Sequence, residues 1–223
     1  MSFEHERRQM LADIEAGVAF TQELTGRDHL DERVMQAMQR VHREDFVPAA
    51  QRHASFRDGA LPVGYGQTIS QPYIVALMTD LLDLSADSVV LEIGTGTGYQ
   101  AAVLSRLASK VYSIERIPEL AQAAQQRLKD LDYDNVEIRC ADGYLGWPEN
   151  APFDGIIVTA AAASIPAALL EQLKHGGRMV IPIGLPNMHH ELMLVTSYQQ
   201  GETEISKILG VAFARELAAA AAA

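Results

Sequence analysis

The chain has 223 residues, 48% of them hydrophobic and 21% charged, which suits one soluble domain with a substantial core. Its 29 acidic against 18 basic residues give a formal net charge of −11, which argues against a protein that tracks nucleic-acid phosphates. No apolar run reaches the roughly 18–20 residues that span a bilayer, Met1–Gln9 holds no apolar signal core, and the lone Cys140 excludes an intrachain disulfide.

In chain order, Met10, Leu11, Ile14, Val18 and Leu24 predict a helix over 6–24, and Val34, Met35, Met38 and Val41 a second over 31–41 with Asp31 as N-cap. From His42 to Gln71 the Pro and Gly content reads as mostly irregular. Pro72 opens a third helix running to about Leu84. Strands at 88–93, 110–115, 135–140, 153–159 and 177–183 then alternate with helical segments at 99–108, 118–131 and 165–173. That alternation predicts parallel strands with right-handed crossovers, a Rossmann-like, doubly wound α/β fold. Leu192–Thr196 and Ile205–Phe213, joined by Gln199–Glu202, predict an antiparallel hairpin closing the sheet. Residues 1–217 thus form a single domain; 1–84 carry helices and a substrate loop, and 85–217 carry the cofactor core. The Ala218–Ala223 run carries no packing information and is left out of the fold.

The chemistry is concentrated where Val89-Val90-Leu91-Glu92-Ile93 runs into Gly94-Thr95-Gly96-Thr97-Gly98 and a helix begins at Tyr99. A strand, a glycine turn and a helix N-terminus hold nucleotide-like cofactors. A dinucleotide fingerprint is G-x-G-x-x-G, but here the third glycine comes one residue early and bulky Tyr99 stands in its place. Glu92 adds negative charge where a pyrophosphate would be unwelcome. S-adenosylmethionine has no phosphate and carries an ammonium and a sulfonium, so it fits this turn better than NAD. Glu115 ends the second strand 19 residues after Gly96, the spacing at which a carboxylate reaches a ribose diol. Asp142 follows the third strand, where it can accept from an adenine amino group. No Cys/His cluster has zinc-ligand spacing and His189-His190 stands alone, so no metal is expected.

The segment just upstream, Gly64-Tyr65-Gly66-Gln67-Thr68-Ile69-Ser70-Gln71-Pro72-Tyr73-Ile74, resembles the signature of protein-L-isoaspartate O-methyltransferases. The resemblance continues through Val89–Gln100, Tyr112-Ser113-Ile114-Glu115-Arg116, Asp142–Pro148, Val158–Ala162 and Leu173–Arg178, roughly residues 30 to 185. It implies transfer of a methyl group from S-adenosylmethionine to the free α-carboxyl of isoaspartyl residues in damaged peptides and proteins. The product is S-adenosylhomocysteine, and the ester cyclises to a succinimide whose hydrolysis returns some normal aspartate. It also implies that Ser70 is the active-site serine. The implied cofactor set is Glu92, Gly94, Thr95, Gly96, Thr97, Gly98, Glu115, Arg116, Asp142, Gly143 and Thr159. Gly64, Tyr65, Gln67, Thr68 and Ile69 would face the substrate from a lid, and Val211 would offer backbone hydrogen bonds to the peptide.

A carboxylate with pKa near ~4 is already ionised at pH 7, so this reaction needs no general base, and the sequence presents no Ser-His-Asp or paired-acid set. The bland alternative for Ser70 and Gln71 is that they cap the helix at Pro72. The sequence departs from the family at His42, where proline is common, and at Val211–Glu216, where apolar residues and proline usually follow. The competing functions are a small-molecule methyltransferase, a non-catalytic cofactor-binding adaptor and an NAD-linked oxidoreductase. The expected protein is a cytoplasmic monomer with neither membrane nor nucleic acid as partner.

Overall fold

The computed structural model describes residues 3–185, 189–198 and 202–213. Helix α1 (Glu4–Thr25) buries Met10, Ile14, Val18 and Thr21 along one stripe. Leu24 falls off it and is 67% exposed: ten residues past Ile14, at ~100° per residue, it is rotated roughly 80° away. Helix α2 (Glu32–Arg40) starts as expected at Asp31, whose carboxylate accepts from the Arg33 N–H at 2.7 Å.

The stretch read as irregular is ordered. It contains two 3-10 turns, Arg43–Asp45 and Ala49–Ala54, and an antiparallel pair, β1 (Leu61–Gly64) and β2 (Gln67–Ile69). Pro62 fits because a two-stranded sheet consists of edges, and Tyr65 and its flanking glycines take the positive φ values of the turn. The buried Arg43 guanidinium ties the loop together, donating to the carbonyls of Ser55 at 2.8 Å and Gly59 at 3.4 Å and lying over the Tyr99 ring. His42 has φ −77°, which a proline also holds, so that departure is conformationally mild. Helix α3 (Pro72–Leu81) stops short of Leu84, with Asp83 in left-handed backbone.

The remaining elements are β3 (Val89–Ile93), α4 (Tyr99–Ser105), β4 (Lys110–Glu115), α5 (Pro118–Asp130), β5 (Val136–Cys140), β6 (Phe153–Val158), α6 (Ala167–Glu171), β7 (Leu173–Ile183), β8 (His190–Ser197) and β9 (Thr203–Val211). Helix α4 ends before 108 because the Arg106 and Leu107 amides bond three residues back, to Val103 and Leu104. Strand β7 begins at Leu173 and not 177, since Leu173 already pairs with Phe153 ahead of a register break. The hairpin tip at Gln199–Gly201 and the altered residues after Phe213 lie outside the described residues.

The seven-stranded sheet has the order β5-β4-β3-β6-β7-β8-β9, parallel from β5 to β7 and antiparallel thereafter. Side chains alternate between its faces. Val90, Val111 and Ile157 join a core with the first four helices, whereas Leu91, Ile114 and Ile156 join Trp147, Phe153 and Leu169 on the other side. The chain reverses its winding between β3 and β6, so the C-terminal ends of these strands border a crevice at the switch point. Among the described residues no helix is long and apolar enough to cross a membrane, and no cluster of three metal-ligating side chains occurs.

Candidate active site

The glycine turn leaves β3 at the switch point. The Gly94 amide donates to the Ile114 carbonyl at 2.8 Å, and Gly98 to the Thr95 carbonyl at 2.8 Å. Gly94 has φ 99°, and a Cβ there would lie 2.5 Å from Thr159 Oγ1, so both backbone and space demand glycine. Thr159, just after β6, uses that hydroxyl to donate to the Gly94 carbonyl at 2.7 Å. From α5, Arg127 Nη1 donates to the Thr97 carbonyl at 2.9 Å.

Glu115 ends β4 and is buried, each carboxylate oxygen accepting one backbone N–H: Gly96 at 2.8 Å and Ile117 at 2.9 Å. A carboxylate has about four lone-pair sites, so two remain for a diol. Asp142, after β5, accepts from the Tyr144 N–H at 3.0 Å. Gly94, Thr95, Gly96, Thr97, Glu115 and Arg116 line one cavity together with Asp142, Gly143 and Thr159. Nothing lies within 4 Å of where a Gly96 Cβ would stand.

Two residues of the expected cofactor set are elsewhere. Gly98 N-caps α4 and packs toward Leu128 of α5. Glu92 is fully buried, because β3 lies between β4 and β6 and residue 92 faces the helical core. One of its oxygens accepts from Ser113 Oγ, which is 2.5 Å from Thr95 Oγ1; the other has no partner. Burial pushes its pKa up to about 8, against the opposing Ser113 hydrogen bond. Burial thus favours its neutral form, and Glu92 stands behind the cavity wall rather than lining the cavity, which weakens the charge argument drawn from it in the sequence. It acts through Ser113 and Thr95.

A second cavity, about 920 Å³, opens beside the first between α1, α3 and the end of β9. Gln67, Thr68, Ser70, Thr159 and Ala160 line both, so these five residues form the wall where the two spaces meet. Ile69 faces the first cavity and Val211 the second, whereas Gly64 and the 58%-exposed Tyr65 sit at the hairpin tip, away from both.

Gln71 occupies the N-cap position of α3, but its side chain makes no capping hydrogen bond to the helix. The capping acceptor comes instead from Asp58, which accepts from the Tyr73 N–H at 3.0 Å and from Gln71 Nε2 at 2.6 Å. Asp58, Ser113 and Arg127 are absent from the sequence-derived set. A small polar residue inside an apolar strand was the signal for Ser113. Asp58 gave none within its irregular surroundings.

A family model described as protein-L-isoaspartate(D-aspartate) O-methyltransferase matches residues 19–217. The chain belongs to this family. It is 57% identical over 206 residues to protein-L-isoaspartate O-methyltransferase 2 of Nitrosococcus oceani, covering 92% of this chain and 94% of the relative. The corresponding protein of Syntrophobacter fumaroxidans is 56% identical, with 93% and 84% covered. Among solved structures, a protein-L-isoaspartate O-methyltransferase superposes with TM-score 0.79 at 28% identity, over 93% of this chain and 64% of that one. This chain therefore spans just under two thirds of that protein's length. A Plasmodium falciparum protein described as a putative family member, in complex with S-adenosyl-L-homocysteine, shares the fold with TM-score 0.74 at 22% identity over 92% of this chain and 97% of that one. Membership in the isoaspartate methyltransferase family agrees with the resemblance carried by Gly64–Ile74.

Proposed function

We propose that this chain is a protein-L-isoaspartate O-methyltransferase, transferring methyl groups from S-adenosylmethionine to the free α-carboxyl of isoaspartyl residues in damaged proteins. The observation that carries the reading is the wall from Gln67 to Ser70, completed by Thr159 and Ala160, standing between a narrow crevice at the glycine turn and a wider, open acceptor cavity. Family membership supplies the reaction, and the two adjoining cavities support a separate place for each of its two substrates.

The residues present fit the methyl donor. Glu115 retains lone pairs for a diol, Asp142 offers an acceptor, the open face of Gly96 leaves room for a ligand, and no pyrophosphate site is needed. S-adenosylmethionine, held by these groups and the Gly94–Thr97 turn, supplies a sulfonium-bound methyl that the acceptor carboxylate takes as the C–S bond breaks, leaving S-adenosylhomocysteine.

The protein's part is alignment and exclusion of water. The acceptor is ionised at pH 7, so no side chain has to remove a proton. Ser70 is the catalytic residue: its hydroxyl donates to the acceptor carboxylate and holds one oxygen toward the first cavity. Gln67 and Thr68 flank it on the shared wall, carried by the β1–β2 hairpin whose tip, Gly64 and Tyr65, lies away from both cavities. Holding the reacting atoms in line and dry is where such a site gains rate. Strand β9 is the edge of the sheet, and Val211 sits where its backbone can pair with an extended peptide. We place the enzyme in the cytoplasm as a monomer acting on isoaspartyl peptides and proteins.

Mass spectrometry tests the reading. An isoaspartyl peptide incubated with enzyme and S-adenosylmethionine gains one methyl and then loses methanol to form the succinimide. Ser70→Ala slows that gain while retaining donor affinity. A peptide that never gains a methyl contradicts the assignment, and unchanged turnover in Ser70→Ala contradicts the role of Ser70.

A further inference from the structure

Helix α1 presents two stripes. Met10, Ile14 and Val18 are buried in the core. Asp13, Ala16, Gly17 and Phe20 recur at the i, i+3, i+4, i+7 spacing of a second face and line the acceptor cavity. Asp13, Ala16 and Gly17 precede residue 19, where the family match begins. Thr21, one residue after Phe20, bonds to the Tyr73 hydroxyl and fixes this face against α3, whose N-terminus adjoins Ser70.

Phe20 is 90% exposed, so its ring is open to a ligand at the rim of the acceptor cavity. Asp13 lies two turns earlier, and one of its oxygens is bonded only to Gln9 Nε2, at 2.9 Å. Among the described residues no Lys, Arg or His pairs with Asp13, and none of the described residues lining this cavity is Lys or Arg. Asp58, the other carboxylate there, is engaged at both oxygens by α3 and Gln71. The ring and the free carboxylate are separated by the two small residues, over roughly 10 Å of helix axis. The Tyr73 ring packs on Gly17, so an alkyl stem can lie over Ala16 and along the edge of that ring, with its cationic head between the Phe20 ring and Asp13.

We propose that this face of α1 is a subsite for a cationic side chain flanking the isoaspartyl residue, so that the enzyme favours damage sites with a neighbouring Lys or Arg. The inference rests on the methyl-transfer reading above. It adds a substrate preference to that reading.

The test is a scan of isoaspartyl peptides carrying Lys, Ala or Glu at each flanking position in turn, with kcat/KM measured from labelled S-adenosylmethionine. At one position wild type prefers Lys over Glu by about tenfold or more, mainly through KM. Asp13→Lys abolishes or inverts the preference, Asp13→Asn reduces it, and Phe20→Ala reduces it by about threefold. Asp130→Lys, the same charge change on the exposed face of α5, leaves the preference in place and separates the subsite from the protein's overall negative charge. A wild type without the preference, or one whose preference survives Asp13→Lys, overturns the subsite. Turnover of the all-Ala peptide by every variant keeps the methyl-transfer reading standing in that event. Failure of every isoaspartyl peptide would overturn that reading and the subsite together.

Discussion

Glu115 accepts the Gly96 N–H at 2.8 Å, joining the end of β4 to the tip of the glycine turn across 19 residues of sequence. The same carboxylate accepts from Ile117 and so also fixes the entry to α5. The group that shapes the turn is thus the one proposed to hold the adenosine ribose. Glu115→Ala removes both functions. Calorimetric titration should show S-adenosylhomocysteine affinity falling by roughly 10- to 100-fold, the loss expected for hydrogen bonds to a charged group. Turnover at saturating donor should change much less. An unchanged affinity would show that the adenosine lies elsewhere.

Gly94 and Gly96 both have positive φ, yet their surroundings differ. A Cβ at 94 meets Thr159 Oγ1, whereas a Cβ at 96 meets nothing within 4 Å. Gly94→Ala should therefore destabilise the ligand-free protein by about 1–3 kcal/mol more than Gly96→Ala, measured by urea unfolding. Gly96→Ala should nevertheless weaken donor binding, because its methyl group intrudes on the ligand's space. Equal stability losses would mean that Thr159 yields freely.

Asp58 connects the loop after the second 3-10 turn to the first turn of α3. Asp58→Ala removes a helix cap and should lower stability by about 1 kcal/mol. It also frees the segment that carries Ser70, so kcat/KM for an isoaspartyl peptide should fall by about tenfold or more. S-adenosylhomocysteine affinity should stay within about twofold of wild type, since Asp58 lines only the acceptor cavity. A loss confined to stability would reduce Asp58 to a cap.

Glu92 makes a pH prediction whose sign follows from burial. Its folded pKa is about 8, raised from an ordinary carboxylate value near 4.5. The folded state therefore holds a proton that the unfolded chain has lost between those values. The contribution of Glu92 is fully present below pH 4.5 and declines as pH rises toward 8, by up to ~1.4 kcal/mol per pH unit. Glu92→Gln should be free of this term. In urea unfolding of the ligand-free proteins, its stability relative to wild type should rise steadily from pH 5 to pH 8. A pH-independent difference would place an ionised carboxylate at this position.

The parts of the site legible in the sequence are those set by local geometry. β3, the glycine turn and Glu115 follow from residue type and spacing, and their positions agree with the sheet order. Glu92 was legible as a residue but not as an environment. Its burial depends on β4 and β6 closing on β3 from both sides, which no local pattern reveals. The 42–71 segment looked irregular because its proline and glycines serve turns and sheet edges. Its order depends on Arg43 reaching Ser55 and Gly59, and on Asp58 reaching across to α3. The face of α1 along Asp13 and Phe20 was hidden in the same way. Periodicity identifies the buried stripe, while the second stripe acquires meaning only from the cavity beside it.

The most direct measurement is the initial rate of methyl transfer from labelled S-adenosylmethionine to two peptides that differ only in one isoaspartyl-for-aspartyl exchange. Transfer to the isoaspartyl peptide, with none above background to its aspartyl twin, is the result this account predicts. Equal labelling of both, or labelling of neither, would contradict it.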